Sequence, residues 1–160
     1  MRTTEADSSA TATAPQVYCI FIKASADTIW DAIVKPEFTA RYFYGSRVET
    51  TAEVGTPFRY HSPDGNSLWG DETVLESNRP HRLVVGWRSL FGPKTDVEPA
   101  SRVTWQIDDQ GNGTCMLTVI HDRLGQSPNT AAGVIGAGWM YVLSGLKPLL
   151  ETGEQLAPTR

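Results

Sequence analysis

Six large rings and one histidine are the residues with the most chemical potential in this chain. Trp69, Trp87, Trp105 and Trp139, with Tyr42 and Tyr60, supply broad apolar faces with few hydrogen bonds. Such rings either fill a solid core or wall a pocket for a flat, apolar ligand. His121 ends an apolar stretch, TCMLTVIHD. An imidazole there has three readings: the polar handle of an apolar pocket, a general base near neutral pH, or a core-edge side chain satisfied by backbone. His121-Asp122 is not read as a metal-phosphohydrolase dyad, because neighbouring strand residues point to opposite faces. The same rule separates Asp71 from Glu72 as an acid/base pair. His61, His81, His121, Cys19 and Cys115 show no metal-ligand spacing. Gly133-Val-Ile-Gly136-Ala-Gly138 reverses the dinucleotide-binding glycine spacing and lacks the βαβ unit that would use it. No GxSxG motif or P-loop is present. Neither a metal nor a cofactor is therefore expected.

The elements that position these groups follow from periodicity. VYCIFIK, Val17 to Lys23, reads as a strand. Ser25 then caps a helix whose apolar face is Ile29, Trp30 and Ile33, and Pro36 opens a second short helix ended by Gly45. Six further strands follow, joined by short turns such as Pro63-Asp64-Gly65-Asn66 and Asp109-Gln110-Gly111-Asn112-Gly113. Short connections make the sheet antiparallel. Alternation places Leu83, Val85 and Trp87 on one face, with Val103, Trp105 and Ile107, and with Cys115, Leu117, Val119 and His121.

Ser127 to Gly153 reads as one long helix, capped by Ser127, opened by Pro128 and closed by Gly153. Its apolar stripe is Ile135, Trp139, Val142, Leu146 and Leu149. Its glycines imply close backbone approach to a neighbour, since each costs about 1 kcal/mol against alanine. Pro148 deprives the Ser144 carbonyl of its partner. The spacing predicts a helix over about 130–151, bent near Ser144–Gly145; the alternative is an end at Leu146. A curved sheet wrapped around this helix is the economical packing.

At 160 residues, 40% hydrophobic and with net charge −4, the chain suits one domain over 16–157 after a disordered lead-in over 1–15. The acidic balance argues against a nucleic-acid partner; Arg79, His81 and Arg82 are the nearest approach to a basic patch. No membrane-length apolar run or secretory leader is visible, so the cytoplasm is the expected compartment, with both cysteines as free, half-buried thiols in strands.

Three stretches resemble a known family: Gly138–Gly153 (GWMYVLSGLKPLLETG), Ala24–Ile33 (ASADTIWDAI) and Thr114–Asp122. They are similar to the SRPBCC (START-like) superfamily and, within it, to the branch named for the activator of Hsp90 ATPase. The resemblance spans Val17 to Leu156. It implies an α+β helix-grip fold: a seven-stranded curved antiparallel sheet around a long C-terminal helix, with two short helices after the first strand. It also implies a cavity between sheet and helix for a hydrophobic ligand. Members often carry Asp or Asn before the proline of the second helix, where this chain has Lys35, and usually an ordinary helix former at the position of Pro148.

The expected function is binding of a small hydrophobic, lipid-like, aromatic or polyketide-like ligand by Tyr60, Trp69, Trp87, Trp105, His121 and Trp139, with Met140 and Leu143 as adaptable filler. A cyclase or hydrolase using His121 is the second reading. It lacks a second committed acid or nucleophile, so binding is favoured over catalysis. A chaperone-cofactor module is the third. An exposed sheet edge would allow a homodimer.

Overall fold

The computed structural model describes residues 14–90, 92–133 and 138–156. The lead-in expected over 1–15 falls almost wholly outside them. Strand β1 (Gln16–Ile22) alternates, with Val17, Cys19 and Phe21 outward and Ile22 fully buried. Helix α1 (Ala26–Val34) begins where expected: Ser25 Oγ accepts from the Thr28 N–H at 3.1 Å, and Ile29, Trp30 and Ile33 are buried. Helix α2 (Pro36–Tyr42) has no side-chain cap at Lys35; Pro36 opens it, losing only an N–H that would have been unpaired anyway.

Strands β2 (Arg47–Thr50), β3 (Pro57–His61), β4 (Leu68–Asn78), β5 (Arg82–Trp87), β6 (Ser101–Asp109) and β7 (Cys115–Asp122) pair with their sequence neighbours, and β1 joins β7. The result is one seven-stranded antiparallel sheet, ordered β1-β7-β6-β5-β4-β3-β2. The α1–α2 pair carries the chain from one edge of this sheet to the other. Register shifts at Tyr60/His61 and Val74/Glu76 break the ladder, a device that bends strands and strengthens twist.

The inner face is the one the alternation predicts. β7 alternates without exception, with Cys115, Leu117, Val119 and His121 buried. Leu83, Trp105 and Val119 lie side by side across β5, β6 and β7. Both cysteines are free. They are not both half-buried, however: Cys115 is buried on the inner face and Cys19 is exposed on the outer one, because β1 is an edge strand with an uncovered back.

The helical region has two described parts, α3 (Pro128–Gly133) and α4 (Trp139–Thr152). Residues 134–137, which include Ile135 and Gly136, lie outside the described residues. Ser127 is a correction. It does not cap its own helix; its hydroxyl donates to the Pro99 carbonyl at 2.7 Å. α4 runs through Pro148, so it does not end at Leu146, and Ser144 is exposed. Gly153, at φ 83°, closes the helix by donating to the Leu149 carbonyl. Close approach does not demand glycine at position 145: a Cβ there would stand 3.5 Å from the Tyr42 Cβ and 3.6 Å from its carbonyl oxygen, an ordinary van der Waals contact with the end of α2. α4 thus rests directly on the end of α2.

Candidate functional site

Between the inner face of the sheet and α4 lies a cavity of about 480 Å³. That volume is ligand-sized. Four of the eight expected residues wall it: Tyr60 from β3, Trp69 from β4, Trp87 from β5 and Trp139 from α4. Four do not. Trp105 and Leu143 are buried in the core, His121 lies behind Trp87 and Trp139, and Met140 is exposed on the far side of α4.

Of the two wall rings that sequence reasoning missed, Phe43 and Tyr44, Phe43 is the buried one. It stacks on Tyr60 with centroids 4.7 Å apart and planes at 22°, and it meets Trp139 edge-on at 5.8 Å. Trp87 closes the group, 5.4 Å from Tyr60 and 5.6 Å from Trp139. The next residue, Tyr44, adopts a left-handed backbone (φ 55°), which side chains other than glycine adopt only at a cost. That turn sends Phe43 inward while Tyr44 stays half exposed at the cavity, stacked on Tyr141 at 5.0 Å. The run Tyr42-Phe43-Tyr44 before Gly45 was a visible signal, but it did not say which ring would turn in.

His121 is fully buried, and both ring nitrogens are occupied. The Trp139 indole N–H can only donate, so it fixes Nδ1 as the acceptor, at 3.1 Å. Nε2 therefore carries the proton and donates to Ser101 Oγ at 2.7 Å; Ser101 in turn donates to the Trp87 carbonyl at 3.1 Å. Burial pushes the imidazole pKa down to about 4, against a smaller upward pull from Asp122. A neutral, saturated imidazole of this kind is a strut beneath Trp139. It has no free nitrogen for a substrate.

A second strut was also missed. Glu98, buried in the loop before β6, accepts from the Asn129 and Thr130 N–H groups at 2.6 and 3.0 Å, and from both of their side chains. It does for α3 what Ser127 was expected to do, and it fixes Thr130 in the cavity wall. Burial pushes the Glu98 pKa up, but the hydrogen bonds outweigh it and hold the carboxyl below its ordinary range. Glu98→Ala is expected to cost about 2 kcal/mol, the upper end for a lost helix cap, read by urea unfolding at pH 7. Because the folded pKa is depressed, the contribution is present at neutral pH and lost as pH falls through that lowered value.

Of the basic residues noted in the sequence, Arg79 reaches Asp27 and Asp31, Arg82 reaches Glu76, and His81 Nδ1 lies 3.3 Å from the Ile107 carbonyl. Among the described residues, no group of three or more His, Cys, Asp or Glu side chains could hold a metal ion, and no helix is long and apolar enough to cross a membrane.

Residues 23–151 match the family model described as Activator of Hsp90 ATPase homolog 1-like protein. No curated protein matches the chain. Among solved structures, the Aha1 dimer from Colwellia psychrerythraea is similar at 15% identity and a TM-score of 0.68, over 88% of this chain and 98% of that one. An HSP90 activator from Plasmodium falciparum is similar at 17% identity and a TM-score of 0.68, over 85% and 95%. DynU16, from the dynemicin biosynthetic locus, is similar at 26% identity and a TM-score of 0.69; the match covers 88% of this chain and 48% of DynU16.

Proposed function

The chain belongs to the Activator of Hsp90 ATPase homolog 1-like family, and from that membership we propose that it is a binding protein for a small hydrophobic ligand held between the sheet and α4. The observation that carries this reading is the 480 Å³ cavity walled by Phe43, Tyr60, Trp87 and Trp139. An empty apolar space of that size forfeits packing and costs stability, so its upkeep in a ring-lined wall favours an occupant. Catalysis is the weaker reading, because the one histidine near the rings is buried, neutral and saturated. We further propose a cytoplasmic location, with which two free thiols are compatible. A homodimer is the partner reading with a surface to support it: edge strand β1 presents Val17 and Phe21, both more than half exposed, on either side of Cys19.

Native mass spectrometry of the full chain tests both points. The expected spectrum shows a mass increment that organic extraction removes, on a dimeric ion. Val142→Trp, which fills the cavity from α4, should abolish the increment. A bare mass from both the native and a foreign host, with no uptake of naphthalene-sized probes, would reject the ligand reading. Activation of a chaperone ATPase by that bare protein would favour the co-chaperone reading instead.

A further inference from the structure

The turn between β6 and β7 carries Asn112-Gly113-Thr114, with Asn112 and Gly113 exposed. The amide of an asparagine side chain is open to attack by the backbone nitrogen of the next residue, provided that nitrogen is free and uncrowded. The chain has four asparagines, and they differ on this point. After Asn66 the Ser67 N–H donates to Ser62 Oγ at 3.1 Å, and after Asn129 the Thr130 N–H donates to Glu98 at 3.0 Å. Asn78 is followed by Arg79, whose side chain crowds the approach to its own nitrogen. Asn112 alone is followed by glycine, and the Gly113 N–H donates to no group among the described residues. A Cβ at Gly113 would meet nothing within 4 Å, so the nitrogen is also uncrowded from outside the turn. The related pair Asp64-Gly65 lacks both features: its glycine N–H donates to the Ser62 carbonyl at 2.9 Å, and a carboxylate has no amide to expel.

Thr114 arranges the side chain. Its N–H donates to Asn112 Oδ1 at 3.2 Å, and its hydroxyl donates to the same oxygen at 2.6 Å. The first bond closes a ring that contains both the Asn112 Cγ and the Gly113 nitrogen. Two donors on Oδ1 draw electrons from Cγ and stand where negative charge grows during attack, the arrangement of an oxyanion hole. The leaving nitrogen, Nδ2, has no partner among the described residues. The turn is braced around this ring: the Gly111 N–H donates to Asp109 Oδ1 at 2.8 Å, and the Gln110 N–H to the Thr114 carbonyl at 3.0 Å.

We propose that Asn112 is a self-modification site, at which the chain deamidates through a cyclic imide, with Thr114 as the positioning residue. The Gly113 nitrogen gives its proton to hydroxide and bonds to the Asn112 Cγ. The oxyanion that forms lies on Oδ1, under the two Thr114 donors. The Cγ–Nδ2 bond then breaks, and Nδ2 takes a proton from water and leaves as ammonia. Water opens the imide at either carbonyl, giving aspartate or isoaspartate; in the second the main chain runs through Cγ. One water is consumed overall and one ammonia released, with no change of oxidation state. Either product adds a negative charge to a chain that is already acidic. No residue of this turn lines the cavity, so the reaction is independent of the ligand reading.

The test holds the full chain at pH 8 for several weeks and follows it by anion-exchange chromatography, with peptide mapping and isoaspartyl methyltransferase labelling of each new peak. A more acidic species is expected to accumulate, with aspartate and isoaspartate at position 112. It should form at least as fast as in a synthetic peptide covering 109–115, where nothing holds the ring closed. Thr114→Val keeps the side-chain shape and the N–H but loses the hydroxyl donor, and it should slow the reaction about fivefold in the folded chain, the worth of one hydrogen bond. Thr114→Ser restores the hydroxyl and should restore the rate. The valine substitution should change the peptide's rate little, which a mere effect of composition would not predict. No acidic species in wild type, modification at a different asparagine, a folded rate well below the peptide's, or a Thr114→Val chain as fast as wild type would each overturn the proposal.

Discussion

Replacing Trp105 by alanine is expected to lower the free energy of unfolding by about 3–5 kcal/mol, the range for truncating a buried tryptophan. The side chain is 1% exposed. Leu83 and Val119 flank it in register, and the Trp139 ring meets it edge-on at 5.2 Å. Loss of the indole opens a hole that the flat inner face of a sheet cannot close, because β5 and β7 are held by their ladders. One term works the other way. The Trp105 Nε1–H has no partner among the described residues, so truncation also removes an unsatisfied donor, which returns about 1–3 kcal/mol. Trp105→Phe keeps most of the volume and sheds the donor, and it should therefore cost much less than alanine. Domains of this size have about 5–15 kcal/mol in total, so the alanine variant stands near the edge of folding. Urea unfolding of both variants checks this; a loss below about 1 kcal/mol for alanine would mean that the indole is not packed as described.

The ease with which Trp105 was identified, and the difficulty of saying what it does, have the same origin. Strand alternation depends only on a residue's own segment, and β7 and β6 show it plainly because one face of each is covered end to end. The turn at 109–113 was equally local: Gly111 and Gly113 sit at φ 78° and 86°, where glycine is favoured. Which inward ring touches the cavity is not local. Trp87 and Trp105 face the same way on adjacent strands, but only the placement of Trp139 on a distant helix covers one and leaves the other lining the cavity. Phe43 turned inward because a left-handed Tyr44 follows it, and no propensity favours that conformation in tyrosine. Glu98 caps a helix about thirty residues further along the chain, whereas the nearby Ser127 carried the ordinary capping signature. His121 was placed on the right face, yet its role was set by an indole and a hydroxyl, each 18 to 20 residues away.

His121 should make stability fall by about 3 kcal/mol between pH 6.5 and pH 4, the worth of its shift from the ordinary imidazole value. In the unfolded chain the ring takes up a proton near pH 6.5; in the folded chain burial delays this to about 4. Between those values the unfolded state holds more protons, so unfolding becomes easier as pH falls. The contribution is complete above the upper value and gone below the lower one. Glu98 and Asp122, whose carboxyls are held below their ordinary range, add their losses only under about pH 4, so the two windows separate. His121→Gln isolates the effect. Its amide carbonyl can take the Trp139 N–H and its amide N–H can serve Ser101, but it binds no proton at any of these pH values. The variant should therefore unfold in urea with little pH dependence from 6.5 to 4.5, where wild type shows a clear slope. A flat wild-type profile would contradict the buried neutral ring. The same measurement bears on catalysis, because a general base must titrate near the pH at which it works. A ring that stays unprotonated down to about pH 4, with its Nδ1 lone pair held by an indole, cannot be the group behind any activity that titrates near neutrality.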